Sequence, residues 1–224
     1  MDYKNINRKF WNQGYYAPNV ESFIFRFYGR FIKNFFKKKN LKLLDFGCGQ
    51  GANLNFFYQK NYNCYGLDIS KKDIQVAQKR FPKIKKRFIL SHSVPKNTEI
   101  PDNLDIILAS QSLYYLSKKD FISTINLLYS KLNKGGVIFA SMINTKEKIF
   151  YINSKKTRDP WLRLVKYKIK RHKIKKHYLF FTKSKKDLCK KFSIFKTVSV
   201  GSYHCQLDEN EISGNHYTFI GKKI

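Results

Sequence analysis

Three glycines alternate at Gly47, Gly49 and Gly51, directly after an apolar run and two residues behind a carboxylate, Asp45. Glycine reaches positive φ without strain and carries no Cβ, so such a loop lets a small molecule lie against bare main chain. The pattern points to a site for a nucleotide-like cofactor. A second acid, Asp68, closes the next apolar segment, 17 residues after Gly51 and so one helix and one strand further on. The four cysteines, Cys48, Cys64, Cys189 and Cys205, form no Cys-x-x-Cys, and no histidine is spaced to complete a zinc site. They read as free thiols, and no metal is expected. Cys48 stands between two loop glycines because a small side chain fits there.

These residues need a frame, and the apolar patterning supplies one. Residues 41–46 read as a first strand, with a helix over 53–60 whose N-terminus faces the glycine loop. A second strand spans 62–69, and Ser70 with Asp73 caps a helix through Arg80, ended by Phe81-Pro82. Short apolar runs at 87–90, 104–110 and 137–143 suit buried parallel strands. Ser117 and Asp120 cap a helix to about Leu132, and Asn133-Lys134-Gly135-Gly136 turns the chain back into the sheet. Five βα units argue for an open, doubly wound α/β sheet. Upstream, Phe23, Ile24, Phe27, Tyr28, Phe31, Ile32 and Phe35 recur at helical spacing with Arg26, Arg30 and Lys33 on another face. This amphipathic helix is expected to pack on the sheet or cover its site, the alternative being contact with an anionic membrane. After Ile143 the alternation of strand and helix fails. Residues 145–180 are polar, basic and aromatic, and read as an insertion or lid whose densest charge run is 163–171. A helix at 185–191 and a hairpin from about 195–200 and 217–221 complete the chain. The expected organisation is one domain: cap helices over 1–40, a cofactor-binding core over 41–144, the basic insertion over 145–180, and the last helix and hairpin over 181–224.

A chain of 224 residues fills one α/β core. No stretch approaches the roughly 20 apolar residues that cross a bilayer, and residues 1–5 lack a signal-peptide core, so a cytoplasmic location is expected. The formal charge of +30 suggests a polyanionic partner. Only eight of the 45 cations are arginine, however, and the chain is crowded with Lys, Asn, Ile, Phe and Tyr, whose codons are AT-rich. Genome composition therefore accounts for much of the bias, and phosphate and base recognition lean on arginine.

In order of elements and in the residues they carry, the chain resembles the class I S-adenosylmethionine-dependent methyltransferases, in particular small domains acting on small molecules. Leu43-Leu44-Asp45-Phe46-Gly47-Cys48-Gly49-Gln50-Gly51 is similar to that family's first motif, and Tyr65-Gly66-Leu67-Asp68-Ile69-Ser70 to its second. The resemblance implies a Rossmann-like, mostly parallel seven-stranded sheet with an antiparallel C-terminal hairpin and helices on both faces. It also implies S-adenosylmethionine as cofactor and S-adenosylhomocysteine as product. Asp68 is expected to accept hydrogen bonds from the ribose hydroxyls, with Ile69 beside it. Asp45 is expected to attract the cationic amino group, and Gly47, Cys48, Gly49 and Gly51 to cradle the methionine portion. Residues 104–116 resemble the fourth-strand motif, whose following loop, with Gln111, borders the transferred methyl group; the family often has His where Tyr115 stands. After the third strand an acid commonly meets the adenine amino group, whereas this chain has Ser91-His92-Ser93. Residues 10–16, with Tyr15 and Tyr16, resemble an aromatic segment that closes over the cofactor. The glycines with Ala52 also satisfy the G-x-G-x-x-A dinucleotide fingerprint, so an NAD-dependent oxidoreductase is the competing reading.

A hydroxyl acceptor would need a base, for which Tyr115, His177 and His204 are the candidates. The variable, basic and aromatic parts suit a small acceptor carrying phosphate or a sugar ring, such as a surface-polysaccharide precursor, with Lys168, Arg171 and Lys173 neutralising its charge. The alternatives are RNA methylation along the basic insertion, and a non-catalytic module that binds cofactor, a partner or a membrane surface.

Overall fold

Alternating apolar runs and capped helices build a sheet wrapped on both sides. The computed structural model describes residues 2–13, 19–33, 35–36, 40–169, 173–205 and 214–224. Helix α1 (Tyr3–Trp11) and helix α2 (Ser22–Phe27), which runs on into a π-helical turn (Tyr28–Ile32), precede β1 (Lys42–Phe46). Then come α3 (Ala52–Tyr58), β2 (Asn63–Asp68), α4 (Lys71–Arg80), β3 (Phe88–Leu90), β4 (Leu104–Ala109), α5 (Lys118–Lys131) and β5 (Leu132–Ile143). The second part holds α6 (Lys148–Ile152), β6 (Ser154–Lys156), β7 (Arg163–Ile169), β8 (Lys173–Leu179), α7 (Lys185–Lys191), β9 (Lys196–Tyr203) and β10 (His216–Lys222).

Seven strands form the main sheet in the order β3-β2-β1-β4-β5-β10-β9. The first five are parallel, and β10 runs antiparallel between β5 and the edge strand β9. Alternation along the strands sends Leu44, Ile107 and Ile138 to one face, where α5 and α7 bring Phe121, Leu128 and Leu188. Leu43, Ile106 and Leu108 point to the other, against Leu54 and Phe57 of α3, Ile74 of α4 and Ile24 and Phe27 of α2. Each such large side chain, fully buried, contributes about 1.5–3 kcal/mol. The basic aromatic segment before β1 thus packs on the sheet, leaving Arg26, Arg30 and Lys33 exposed. The Ser70 and Ser117 hydroxyls accept the Asp73 and Asp120 amides and cap α4 and α5.

One expectation is corrected and another is given its structure. The Asn133-Gly136 segment lies within β5, where the pairing to β4 shifts register and Gly135 has φ +81°. The basic insertion is an ordered antiparallel sheet, β6-β7-β8, and its densest charge run is β7. There, Lys166 and Lys168 alternate with Val165, Tyr167 and Ile169, a period of two that belongs to a strand. The small sheet is tied to the large one, since Phe180 and Thr182 donate backbone bonds to the carbonyls of Tyr114 and Ile143.

Helix α1 fastens across the C-terminal ends of the parallel strands. The buried Asn7 amide takes the Tyr178 N–H at 2.7 Å and donates to the Tyr178 and Tyr115 carbonyls at 2.9 and 3.1 Å. At its other end, Ser70 Oγ donates to the Trp11 carbonyl and the Lys71 amide to Asn12 Oδ1. Asn7→Ala removes these three bonds and is expected to cost about 1–3 kcal/mol. Hydrogen exchange over residues 3–11 should accelerate in that variant, measured by mass spectrometry.

Candidate functional site

The strand order reverses between β1 and β4, and in open α/β sheets ligands bind beyond the carboxyl ends of the strands at such a point. A continuous cleft of about 680 Å³ opens there. One end is walled by Gly47, Cys48, Gly49, Asp68, Ile69, Ser91 and His92, the middle by Gln111, Tyr114 and His216, and the far end by Phe10, Tyr115, Phe150, Tyr167 and His177.

The loop after β1 is held by the Gly47 and Cys48 amides, which both donate to the Leu67 carbonyl at 2.8 and 2.9 Å. Its three glycines answer different demands. A Cβ on Gly47 would lie 2.5 Å from Ser112 Cβ, and one on Gly51 2.7 Å from the Phe88 ring, whereas one on Gly49 would meet nothing within 4 Å. Gly49, at φ +51°, is therefore the open cradle, and the other two are glycines for packing.

The Asp68 carboxylate accepts the Gly49 amide through Oδ2 and the Ser70 amide through Oδ1, both at 2.8 Å. These bonds fix its orientation and leave further lone pairs on both oxygens. Burial nevertheless pushes its pKa up to about 6, against the opposing pull of the two amides.

Asp45, Gly51 and His204 are not on the cleft wall. Alternation along β1 turns Asp45 toward the face of Leu43, where it is 1% exposed and its Oδ2 has no hydrogen-bond partner among the described residues. Gly51 is covered by Phe81 and Phe88, and His204 is exposed beyond the end of β9. Tyr15, Tyr16 and Arg171 lie outside the described residues, as do the side chains of Lys168 and Lys173.

Burial, reinforced by the Asp68 charge, raises the Asp45 pKa to about 7. Because folding raises it, the stability this group contributes is complete below its ordinary value of 3.8 and is lost as pH rises through about 7. Asp45→Asn is expected to stabilise the ligand-free protein at pH 8 by something on the order of 3 kcal/mol and to leave it unchanged near pH 3.5. Thermal melts of both proteins across pH check this.

Of the candidate bases, Tyr115 and His177 both face the cleft. His177, on β8, is 1% exposed, and neither ring nitrogen has a partner among the described residues. Burial, with the nearby Lys175 charge, lowers its pKa to about 3, so the ring is neutral. Sequence reasoning missed His216, whose Nδ1 bonds the Gly214 carbonyl at 2.6 Å, fixing the tautomer and leaving Nε2 to accept from Tyr114 Oη at 3.3 Å. It also missed Glu99. That carboxylate folds back to accept the Ser91 hydroxyl at 2.7 Å and pairs with His92 Nδ1 at 2.6 Å. Although its burial opposes ionisation, bonds from Ser91, His92 and the Lys96 amide hold its pKa below the usual value. An acid thus does stand behind the segment after β3, eight residues further along than a local motif could show.

The seven-stranded order, with β10 antiparallel, and a cleft combining glycine loop and oriented Asp68 define a class I S-adenosylmethionine-dependent methyltransferase, and the chain belongs to the methyltransferase domain family, whose model matches residues 20–192. Among particular proteins, it is 30% identical over 106 residues to a ubiquinone biosynthesis O-methyltransferase of Pelagibacter ubique, an alignment covering 47% of this chain and 43% of that protein. The chain matches less than half the length of the curated relatives. In fold it is similar to an S-adenosylmethionine-dependent methyltransferase of Methanosarcina mazei, with TM-score 0.70, 14% identity, and 92% and 99% of the two chains covered. The magnesium protoporphyrin IX methyltransferase of Synechocystis, solved with S-adenosylmethionine bound, gives TM-score 0.66 at 14% identity, covering 100% and 98%. Among the described residues no helix is long and apolar enough to cross a membrane, and no group of His, Cys, Asp and Glu could hold a metal ion.

Proposed function

We propose that this protein transfers a methyl group from S-adenosylmethionine to a small-molecule acceptor held at the far end of the cleft. The observation that carries this reading is the pairing of the open Gly49 cradle with the Asp68 carboxylate that bonds its amide. When bound, S-adenosylmethionine supplies an electrophilic methyl group on a sulfonium. The Gly47–Cys48–Gly49 backbone would hold the methionine portion and Asp68 the ribose hydroxyls. Ile69 would flank the adenine, with Ser91 and His92, braced by Glu99, at its edge. Gln111, whose amide bonds Ser141 Oγ, would border the reacting centre. Asp45, beneath the loop, would act on the amino group through its charge rather than across an open wall. Phe10 and Trp11 of α1 would exclude water, so that nucleophile and methyl meet aligned in a dry site.

The acceptor expectation divides. Among the described residues, Lys4 and Lys175 are the lysines on the cleft wall, and Lys4 is paired with Asp120 at 3.1 Å, which leaves Lys175 to meet an anionic group. The half of the expectation that the aromatic far end supports is a ring.

Incubation with methyl-labelled S-adenosylmethionine and a fractionated metabolite extract, followed by mass identification, tests the reading. Label in a small-molecule product is expected. Label confined to RNA would replace the acceptor class, and a chain that binds S-adenosylhomocysteine but labels no fraction would be a non-catalytic module.

A further inference from the structure

Buried polar atoms are almost always satisfied, because an unmade hydrogen bond costs about 1–3 kcal/mol. Among the described residues His177 breaks this rule at both ring nitrogens, although its residue lines the cleft. Its surroundings are also unusual. The imidazole is ringed by Phe10 at 4.5 Å, Phe150 at 5.3 Å, Tyr167 at 5.7 Å and Tyr115 at 5.8 Å between centroids. These rings come from α1, α6, β7 and the segment after β4, four elements converging on one residue of β8.

We infer that the far end of the cleft is a subsite for a flat hydroxyaromatic ring, with His177 as the hydrogen-bonding partner of its hydroxyl and the four aromatic rings as its walls. The inference rests on the small-molecule reading above and deepens it. A neutral imidazole presents one donor and one acceptor, and a hydroxyl can answer either. The rings supply stacked and edge contacts to another flat ring, which an aliphatic alcohol would not match. Lys175 shares the His177 face of β8, lines the cleft, and lies over Phe10 at 5.5 Å. A cation at that place acidifies a nearby phenol, a group already able to ionise, and does much less for a sugar hydroxyl. Phe10 closes the box from α1.

The test uses the full chain saturated with S-adenosylhomocysteine and titrated calorimetrically with 4-methylphenol and 2-naphthol, their methyl ethers, cyclohexanol and glucose 1-phosphate. The phenols are expected to bind at least about tenfold more tightly than the other probes, the size of one good hydrogen bond. His177→Phe, which keeps a ring, should erase the preference for phenol over ether and leave S-adenosylhomocysteine affinity unchanged. An equal preference in H177F, no preference in the wild type, or tighter binding of glucose 1-phosphate would overturn the inference. If S-adenosylhomocysteine itself did not bind, the methyltransferase reading would fall instead. Should H177F not fold, the wild type still decides, because the His177 ring nitrogen resonances must shift on adding 4-methylphenol, and an unmoved pair would overturn the proposal.

Discussion

Asp68→Ala is expected to lower the affinity for S-adenosylhomocysteine by at least about 100-fold, measured by calorimetry at pH 7.5. Hydrogen bonds to a charged group are worth roughly 1.5–3 kcal/mol each, so two ribose hydroxyls losing a carboxylate give a factor on the order of 10² to 10⁴. The pre-set orientation of that carboxylate, from the Gly49 and Ser70 amides, is why so much rests on one side chain. Asp68→Asn keeps one acceptor oxygen and is expected to fall between the two. Burial raises the Asp68 pKa to about 6, which fixes the direction of the pH dependence. Below that pH the group takes a proton and loses acceptor strength, so wild-type affinity should drop as pH falls through about 6, while Asp68→Asn stays level.

Gly49→Val and Gly51→Ala should fail in opposite ways. At Gly49 the new side chain enters open space, so folding bears mainly the positive-φ strain of about 1–2 kcal/mol. The branched side chain then occupies the cradle, and S-adenosylhomocysteine affinity is expected to fall by more than about 100-fold. At Gly51, with φ +81°, a Cβ would press on Phe88 at 2.7 and 2.8 Å and on Phe81 at 3.1 Å. Overpacking of that kind costs about 1–3 kcal/mol beyond the backbone strain, and the melting temperature should fall by roughly 5–15 °C. The Gly51→Ala protein that does fold should bind nearly as well as wild type, because Gly51 does not wall the cleft. Calorimetry beside thermal melts separates the two outcomes.

The contrast shows how far residue patterns carry. The β1 loop, Asp68, both serine caps and the succession of strands along the chain are local, set by apolar alternation and by one or two side chains bonding nearby backbone. They were legible. The spacing of three glycines could not say that only Gly49 is open, because Ser112 and Phe88, which impose glycine at the other two, come from β3 and from beyond β4. The small sheet was hidden for another reason. In β7 the lysines draw attention as charge, yet their alternation with apolar residues is a strand signal that could have been taken from the same letters. Asn7, Glu99 and His216 act through partners as far as 171, 8 and 102 positions away, and nothing around them in the chain marks them. His204 and His177 looked alike as bases. Topology turns one outward and sets the other among four aromatic rings.

The central claim is that the cleft over β1, β2 and β4 is built for a methyl donor and not for a dinucleotide. Calorimetric titration of the full chain with S-adenosylhomocysteine and, separately, with NAD tests it most directly. One S-adenosylhomocysteine per chain, with affinity at least about 100-fold weaker in Asp68→Ala and no heat from NAD, is the predicted result. Stoichiometric NAD binding at the same cleft, with none for S-adenosylhomocysteine, would contradict it.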